Sequence, residues 1–130
     1  MSTGVRRVEV AGPALPRTAW ERYADLSLWP GWAPQIRSVD ADGARLAVGR
    51  SGTVHVLGGL RVAFVVTAVD DERLTWSWIA RLGPVALTLH HDLSPAPGGT
   101  AAGLTVEGPA LVVALYAPLT TAPLVRLVRA

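Results

Sequence analysis

One histidine among alternating leucines has surroundings that suit proton transfer. One face of the strand expected over residues 85–94 carries Leu87, Leu89, His91 and Leu93. Successive strand residues point to opposite faces of a sheet, so the imidazole of His91 points where the leucines point. Burial there lowers the pKa of an imidazole and keeps it neutral at pH 7, which makes His91 a candidate general base. A core histidine bonded to a backbone carbonyl is the alternative, and both interpretations stay open at this point.

Two tryptophans on the preceding strand offer a wall for a ligand. The segment 73–81 places Leu74, Trp76, Trp78 and Ala80 on one face. Each indole supplies a flat apolar surface and a single N–H donor, which suits a polycyclic or polyenone molecule. A single tryptophan is more often ordinary core. Five tryptophans against one phenylalanine favour ligand contact for the set.

Three weaker candidates can meet the polar end of a ligand. Tyr116 lies on the expected closing helix, where its hydroxyl can reach a cavity, although simple packing is the favoured interpretation. Arg37 can anchor a polar group at a cavity mouth, although an isolated strand arginine usually faces solvent. His55 fits either face of its strand, and exposure is favoured. The predicted catalytic residues are His91 and Tyr116, and the predicted ligand contacts are Trp32, Phe64, Trp76, Trp78, Leu87, Leu89, His55 and Arg37.

The composition excludes several mechanisms and partners. The 130 residues include no lysine and no cysteine, so a Schiff-base lysine, a thiolate nucleophile and a cysteine-ligated metal are impossible. The motifs of phosphate loops, dinucleotide-binding folds and metalloproteases are also missing from the sequence. A net charge of +2 without a basic cluster argues against nucleic acid. No cofactor, no metal and no nucleic-acid partner are therefore expected.

Strand patterns dominate the elements that position these residues. A first strand ends at Gly12-Pro13, and a short amphipathic helix begins at Pro16. Two prolines and a glycine within residues 30–34 force a turn or a second short helical piece. Further strands are predicted at 36–42, 44–48, 52–57, 60–70, 73–81, 85–94 and 100–107. Their short connections require antiparallel neighbours, so the expected sheet is a meander.

The most hydrophobic stretch, residues 110–128, is predicted to be a helical segment that packs on the core. Pro118, Pro123 and Arg126 interrupt it, whereas a membrane span needs about 20 nearly uninterrupted apolar residues. The prolines are expected to kink or break the helix. The first residues lack the apolar run of a secretory signal. A cytoplasmic protein without membrane insertion is expected.

Three groups of residues have the order and spacing of a known superfamily. Trp29-Pro30-Gly31-Trp32 follows the first helix, Val66-Thr67-Ala68-Val69-Asp70 precedes Arg73-Leu74-Thr75-Trp76, and Leu93-Ser94-Pro95 precedes Gly98-Gly99-Thr100. With these groups the chain resembles the START-like (helix-grip) superfamily, in particular its polyketide cyclase/dehydrase-like branch. The resemblance implies one α+β domain over residues 1–130. Its curved antiparallel sheet of six to seven strands would surround a C-terminal helix, with two short helices after strand 1 and an enclosed apolar cavity.

The resemblance implies that the chain binds a hydrophobic small molecule. The leading hypothesis is a cofactor-free enzyme of secondary metabolism that folds a polyketide-type intermediate and assists its cyclisation or dehydration. The alternative is a non-catalytic carrier of a hydrophobic metabolite or lipid, and a third is an assembly module with an exposed apolar patch. Polar groups that converge on the cavity, such as His91 with Tyr116, favour catalysis, whereas an all-apolar lining favours carriage. A monomer or a homodimer is expected.

Overall fold

A curved antiparallel sheet of seven strands frames residues 2–130, the part of the chain that the computed structural model describes. The strands are β1 Thr3–Gly12, β2 Ile36–Ala41, β3 Ser51–Val56, β4 Leu60–Asp70, β5 Thr75–Leu82, β6 Val85–Ala96 and β7 Gly99–Pro109. Their order across the sheet is β1-β7-β6-β5-β4-β3-β2. The helices are α1 Pro16–Ala24, α2 Trp29–Trp32, α3 Ala110–Tyr116 and α4 Thr121–Leu127. The predicted α+β, helix-grip fold is confirmed.

Strands β2 to β7 form the predicted meander because short connections join neighbouring strands. Between β3 and β4 the backbone turns at Gly58 and Gly59, whose φ angles of 88° and 84° lie in the left-handed region that side chains disfavour. β1 instead pairs with β7, from the far end of the chain, over all ten of its residues. The sheet therefore joins the first strand to the last one.

Two register shifts bend this sheet. One lies between Ile36 and Ser38 in β2, and the other lies between Val66 and Ala68 in β4. An extra residue on one strand of a pair increases the local twist and bends the strand. These bulges help β2 to β5 curve over the aromatic side chains described below.

The strand predicted at 44–48 is wrong. These residues form a loop between β2 and β3 that makes an isolated bridge between Arg45 and Asp25. The backbone N–H of Leu46 donates to the carbonyl of Ala24 at 2.9 Å. The alternating pattern reflects a Leu46 side chain that packs on the core, but its backbone partner is the end of α1 and not a neighbouring strand.

Two short helices connect β1 to β2, as predicted. Pro16 occupies the first position of α1, where its missing N–H leaves no helical bond unmade. The helix buries Ala19, Trp20 and Tyr23, and it packs on β6 and β7. A 3₁₀ turn at Leu26–Leu28 leads directly into α2. Together these pieces bring aromatic side chains over the sheet.

A C-terminal helical segment covers the core beside β1 and β7, and it is broken at one of its prolines. α3 ends in a 3₁₀ turn, Ala117–Thr120, that contains Pro118, and α4 follows directly. Pro123 lies in the first turn of α4, where a residue has no intrahelical N–H bond to lose. The structure therefore shows the predicted break at Pro118 and a continuous helix through Pro123.

The outer face of this segment is apolar and exposed. Leu111 and Leu115 are 73% and 67% exposed, whereas Val113 is buried on the inner face. The stretch Ala110–Leu127 has 18 residues and a mean hydropathy of 1.6, enough to cross a membrane by length and composition. A third of this stretch is buried, and its inner face packs on β1 and β7.

Candidate functional site

A cavity of about 500 Å³ lies between the sheet and the helices. This volume falls within the roughly 300–1,000 Å³ of typical small-molecule sites. The side chains that line it are apolar or uncharged: Tyr23, Trp29, Trp32, Ala33, Pro34, Gln35, Ile36, Leu57, Trp76, Trp78, Leu89, His91, Leu104, Tyr116, Leu119, Thr120, Ala122, Pro123 and Leu124. A molecule bound there would meet no full charge from these side chains.

The pairing of β5 with β6 brings four predicted site residues together. Trp76 lies opposite His91, and Trp78 lies opposite Leu89, so all four side chains share the cavity face. The imidazole of His91 stacks on the indole of Trp76 with ring centroids 3.8 Å apart and planes 6° apart. The alternation in the sequence therefore places these residues correctly, while their roles stay predictions.

His91 is buried and neutral. Only 6% of the residue is exposed, and desolvation lowers its pKa from about 6.5 to about 3, against the opposing effect of its backbone hydrogen bond. Its Nδ1 lies 3.2 Å from the carbonyl oxygen of Trp76. Because a carbonyl oxygen only accepts, we assign the ring proton to Nδ1, which leaves a lone pair on Nε2. Within residues 2–130, Nε2 has no hydrogen-bond partner.

Tyr23 is a cavity residue that the sequence does not single out. It is fully buried on α1, and burial strongly raises the pKa of its hydroxyl. Its ring meets His91 and Trp76 edge to face, with centroids 5.3 and 5.4 Å apart. In the sequence, the one feature that points to Tyr23 is its position on the apolar face of the amphipathic helix, four residues after Ala19. That position predicts burial, but it does not predict contact with a strand residue near the other end of the chain.

The indole N–H groups divide into paired and unpaired sets. Trp20 donates to Asp71, while Trp29 and Trp32 donate to backbone carbonyls on α1, at 2.6, 2.8 and 2.8 Å respectively. The Nε1 atoms of Trp76 and Trp78 are buried without any partner in the described part of the chain. The hydroxyl of Tyr23 shares this state. The structure thus leaves three buried donors without acceptors, all on side chains that line the cavity.

The second predicted catalytic residue also lines the cavity. Tyr116 lies at the end of α3, largely buried, and burial raises the pKa of its hydroxyl. The hydroxyl therefore stays protonated at neutral pH and acts as a donor. His91 on the sheet and Tyr116 on the C-terminal helical segment thus line the same cavity. Their catalytic roles stay predictions.

Arg37 and His55 lie outside the cavity, which corrects the prediction that they contact its ligand. Both border a separate surface depression with Arg61, on the outer side of β2 to β4. Val54 is buried, so strand alternation turns the adjacent His55 outwards. There its Nε2 lies 2.7 Å from Asp40 Oδ2.

Phe64 and Leu87 are also absent from the lining, while Trp32 belongs to it. Phe64 is buried behind the cavity wall, with its ring centroid 5.1 Å from that of Trp78. Leu87 packs beside Gly108 near the end of β7. Both residues pack against the core without bordering the open volume. They support the wall of the cavity.

Comparison with known proteins agrees with this architecture. A family model described as polyketide cyclase/dehydrase and lipid transport matches residues 3–129. The solved structure of Ara h 8.0201 is similar with a TM-score of 0.78 and 14% identity, covering 97% of this chain and 95% of that one. A protein from Nitrosospira multiformis has a TM-score of 0.78 and 15% identity, covering 95% and 93%. Identities this low indicate a shared fold alone.

No curated protein matches the chain. The family description names enzymes and transporters of hydrophobic molecules, in agreement with the uncharged cavity. The match extends over nearly every residue from β1 to the end of the C-terminal segment. The chain therefore belongs to the polyketide cyclase/dehydrase and lipid transport family, within the helix-grip superfamily.

Proposed function

We propose that the chain holds a polyketide-type molecule in the cavity and assists its cyclisation or dehydration without a cofactor. The observation that carries this proposal is the unbonded Nε2 lone pair of a neutral His91 inside an uncharged cavity. Such a group removes a proton from a bound carbon acid once the substrate is held close to it. The convergence of His91 with Tyr116 is the arrangement that favours catalysis over carriage.

The proposed reaction is an intramolecular aldol condensation. Nε2 of His91 takes a proton from a CH₂ group between two carbonyls, and the resulting carbanion attacks a carbonyl carbon farther along the same molecule. A C–C bond forms, and the attacked oxygen receives a proton and becomes a hydroxyl. Loss of that hydroxyl with a neighbouring C–H proton releases one water and forms a C=C bond. The imidazole ends neutral, and no electrons are gained or lost overall.

The low pKa of His91 is compatible with this proton transfer. An isolated imidazolium is costly in an apolar cavity, and for that reason the pKa falls to about 3. Transfer from a bound diketone instead creates an imidazolium beside an enolate, and the opposite charges stabilise each other at short range. The protonated hydroxyl of Tyr116 is the candidate donor to the enolate oxygen.

The second candidate function is carriage of a hydrophobic metabolite without chemistry. It is favoured by the hydrogen bond and the stacking of His91 on Trp76, which give this histidine a structural role in the absence of any reaction. A carrier needs the same cavity and no base. The cytoplasmic location and the monomeric or homodimeric state belong to both proposals.

His91→Phe separates the two functions because phenylalanine keeps the ring volume and removes both nitrogens. With a synthetic poly-β-ketone thioester as substrate, we expect turnover, followed by absorbance of the cyclised product, to fall roughly 100-fold or more. Binding of the same compound, measured with a non-cyclising analogue, should change little. The matched control is His90→Phe, since His90 lies on the outer face and bonds Ser77 and Glu107.

Two results would count against catalysis. A His91→Phe protein that turns over the thioester at the parent rate would remove His91 as the base. A parent protein that binds the analogue without accelerating cyclisation above the uncatalysed rate would leave carriage as the function.

A further inference from the structure

We infer that the cavity selects a neutral ligand with carbonyl-type oxygen acceptors, and that Tyr23, Trp76 and Trp78 are the residues that determine this specificity. The inference rests on the proposed function and names its ligand class. It begins from the three buried donors that have no acceptor in the described chain: Tyr23 Oη, Trp76 Nε1 and Trp78 Nε1.

Unpaired buried donors are rare in folded proteins because each loses its hydrogen bonds to water and gains none in return. The other three indole donors, those of Trp20, Trp29 and Trp32, all have acceptors at 2.6–2.8 Å. The unpaired state is therefore confined to side chains that line the cavity. The donor atoms themselves have almost no accessible surface, so an acceptor brought by a ligand supplies the missing partners once the packed rings separate.

The three donors belong to one group of packed rings. The ring centroid of Trp76 lies 5.4 Å from that of Tyr23 and 5.4 Å from that of Trp78. His91 stacks on the same Trp76 indole. A ligand that carries its oxygens among these rings can pair with donors while its adjacent C–H groups lie near the imidazole.

The charge of the lining narrows the ligand class further. No arginine, aspartate or glutamate is among the residues that line the cavity, and His91 is neutral there. A carboxylate would lose its hydration without gaining an opposite charge, which is strongly unfavourable. A pure hydrocarbon would leave the three donors unpaired. Sites built to hydrogen-bond a polar group discriminate against analogues that lack it. Ketones, quinones and esters therefore fit better than free fatty acids or hydrocarbons.

The test compares three rigid probes of nearly equal shape: fluorenone, fluorene and fluorene-9-carboxylate. Dissociation constants from equilibrium dialysis are corrected for the transfer of each probe from water to an apolar solvent. We expect the parent protein to prefer fluorenone over fluorene by roughly 3- to 10-fold, as a few net hydrogen bonds allow. The carboxylate should bind more weakly than either.

Tyr23→Phe supplies a readout that a purely structural tyrosine would not give. It removes one unpaired hydroxyl and keeps the ring, so the melting temperature should stay equal or rise while the preference for fluorenone falls about threefold or more. Trp20→Phe is the matched control, because it removes a paired donor outside the lining. That variant should lose stability and keep the preference for fluorenone.

Three results would overturn the inference. They are equal corrected affinities for fluorenone and fluorene, tightest binding of the carboxylate, or an unchanged preference in Tyr23→Phe. None of them depends on turnover, so the inference and the proposed cyclisation fail separately. Equal affinities would leave a hydrophobic cavity without oxygen specificity. Loss of turnover alone would leave the specificity intact.

Discussion

At the scale of single residues, His91 is fixed by two contacts with Trp76. Its Nδ1 donates to the Trp76 carbonyl and its ring stacks on the Trp76 indole, so the side chain is held by one neighbour in two ways. Full burial then keeps the imidazole uncharged. The cavity thus contains a fixed, neutral base whose protonation would be costly to the fold.

Because protonation of His91 disfavours the folded state, we expect the free energy of unfolding to depend on pH. Because the pKa of His91 is about 3 in the folded chain and about 6.5 when unfolded, the unfolded chain takes up the proton first as the pH falls. The free energy of unfolding should be unaffected above pH 6.5 and should decrease below it, by at most about 1.4 kcal/mol per pH unit from this residue. Urea unfolding of the parent and of His91→Phe between pH 4 and pH 8 measures the contribution of His91. The two proteins share all other titratable groups, so the effects of those groups cancel in the comparison. Parallel curves for the two proteins would show that His91 is not buried as described.

At the scale of elements, the turn between β4 and β5 contains the one non-glycine residue with a positive φ among residues 2–130. Leu74 has a φ of 58°, in the left-handed region where a β-carbon crowds the backbone, and it is still buried. Its carbonyl accepts from the backbone N–H of Leu93 at 3.0 Å. The turn keeps this conformation because it places the leucine in the core at the start of the strand that carries Trp76.

The left-handed backbone at residue 74 should reverse the usual order of stability of a glycine and an alanine variant. In an extended strand, glycine is less stable than alanine by about 0.5–1 kcal/mol. At residue 74 we expect Leu74→Gly to be more stable than Leu74→Ala by about 1 kcal/mol, although both lose the buried side chain. The control pair is Leu93→Gly and Leu93→Ala on β6, which should show the ordinary order. Urea midpoints compare the four proteins, and an ordinary order at both sites would contradict a left-handed Leu74.

The elements also show what the sequence can and cannot predict. Strand alternation correctly predicts that Trp76, Trp78 and His91 share a face, because that periodicity is local. It cannot place Tyr23 beside them, since α1 reaches His91 only through the fold. The same local pattern misassigns residues 44–48, whose hydrogen bonds go to the end of α1.

At the scale of the whole molecule, one arginine on α1 forms hydrogen bonds to the C-terminal residues of the chain. Arg22 on α1 donates from Nη1 to the carbonyls of Leu127 and Arg129, both at 2.7 Å. These carbonyls lie at the end of α4, where they have no helical partner. The contact fixes the closing segment over the cavity without using the cavity itself.

Arg22→Met should loosen that closure. The side chain keeps its apolar length and loses both hydrogen bonds, so we expect the free energy of unfolding to fall by about 1–2 kcal/mol. Amide hydrogen exchange should rise over α4 and stay unchanged in β6 and β7. Arg81→Met is the control, because Arg81 makes no side-chain hydrogen bond within the described residues. Equal protection of α4 in both variants would show that Arg22 does not hold the segment.

The pairing of β1 with β7 has a consequence for the time course of folding. Gly12 lies opposite Thr100 and Thr3 lies opposite Pro109, so the first strand has no neighbour in the sheet until β7, which begins at Gly99, has been made. Contacts this distant in sequence slow the folding of small domains, towards milliseconds to seconds. During synthesis on the ribosome, the meander from β2 to β6 can form while β1 waits unpaired. The last strand to emerge is the one that completes the sheet, and the cavity closes only when the helical segment behind it arrives.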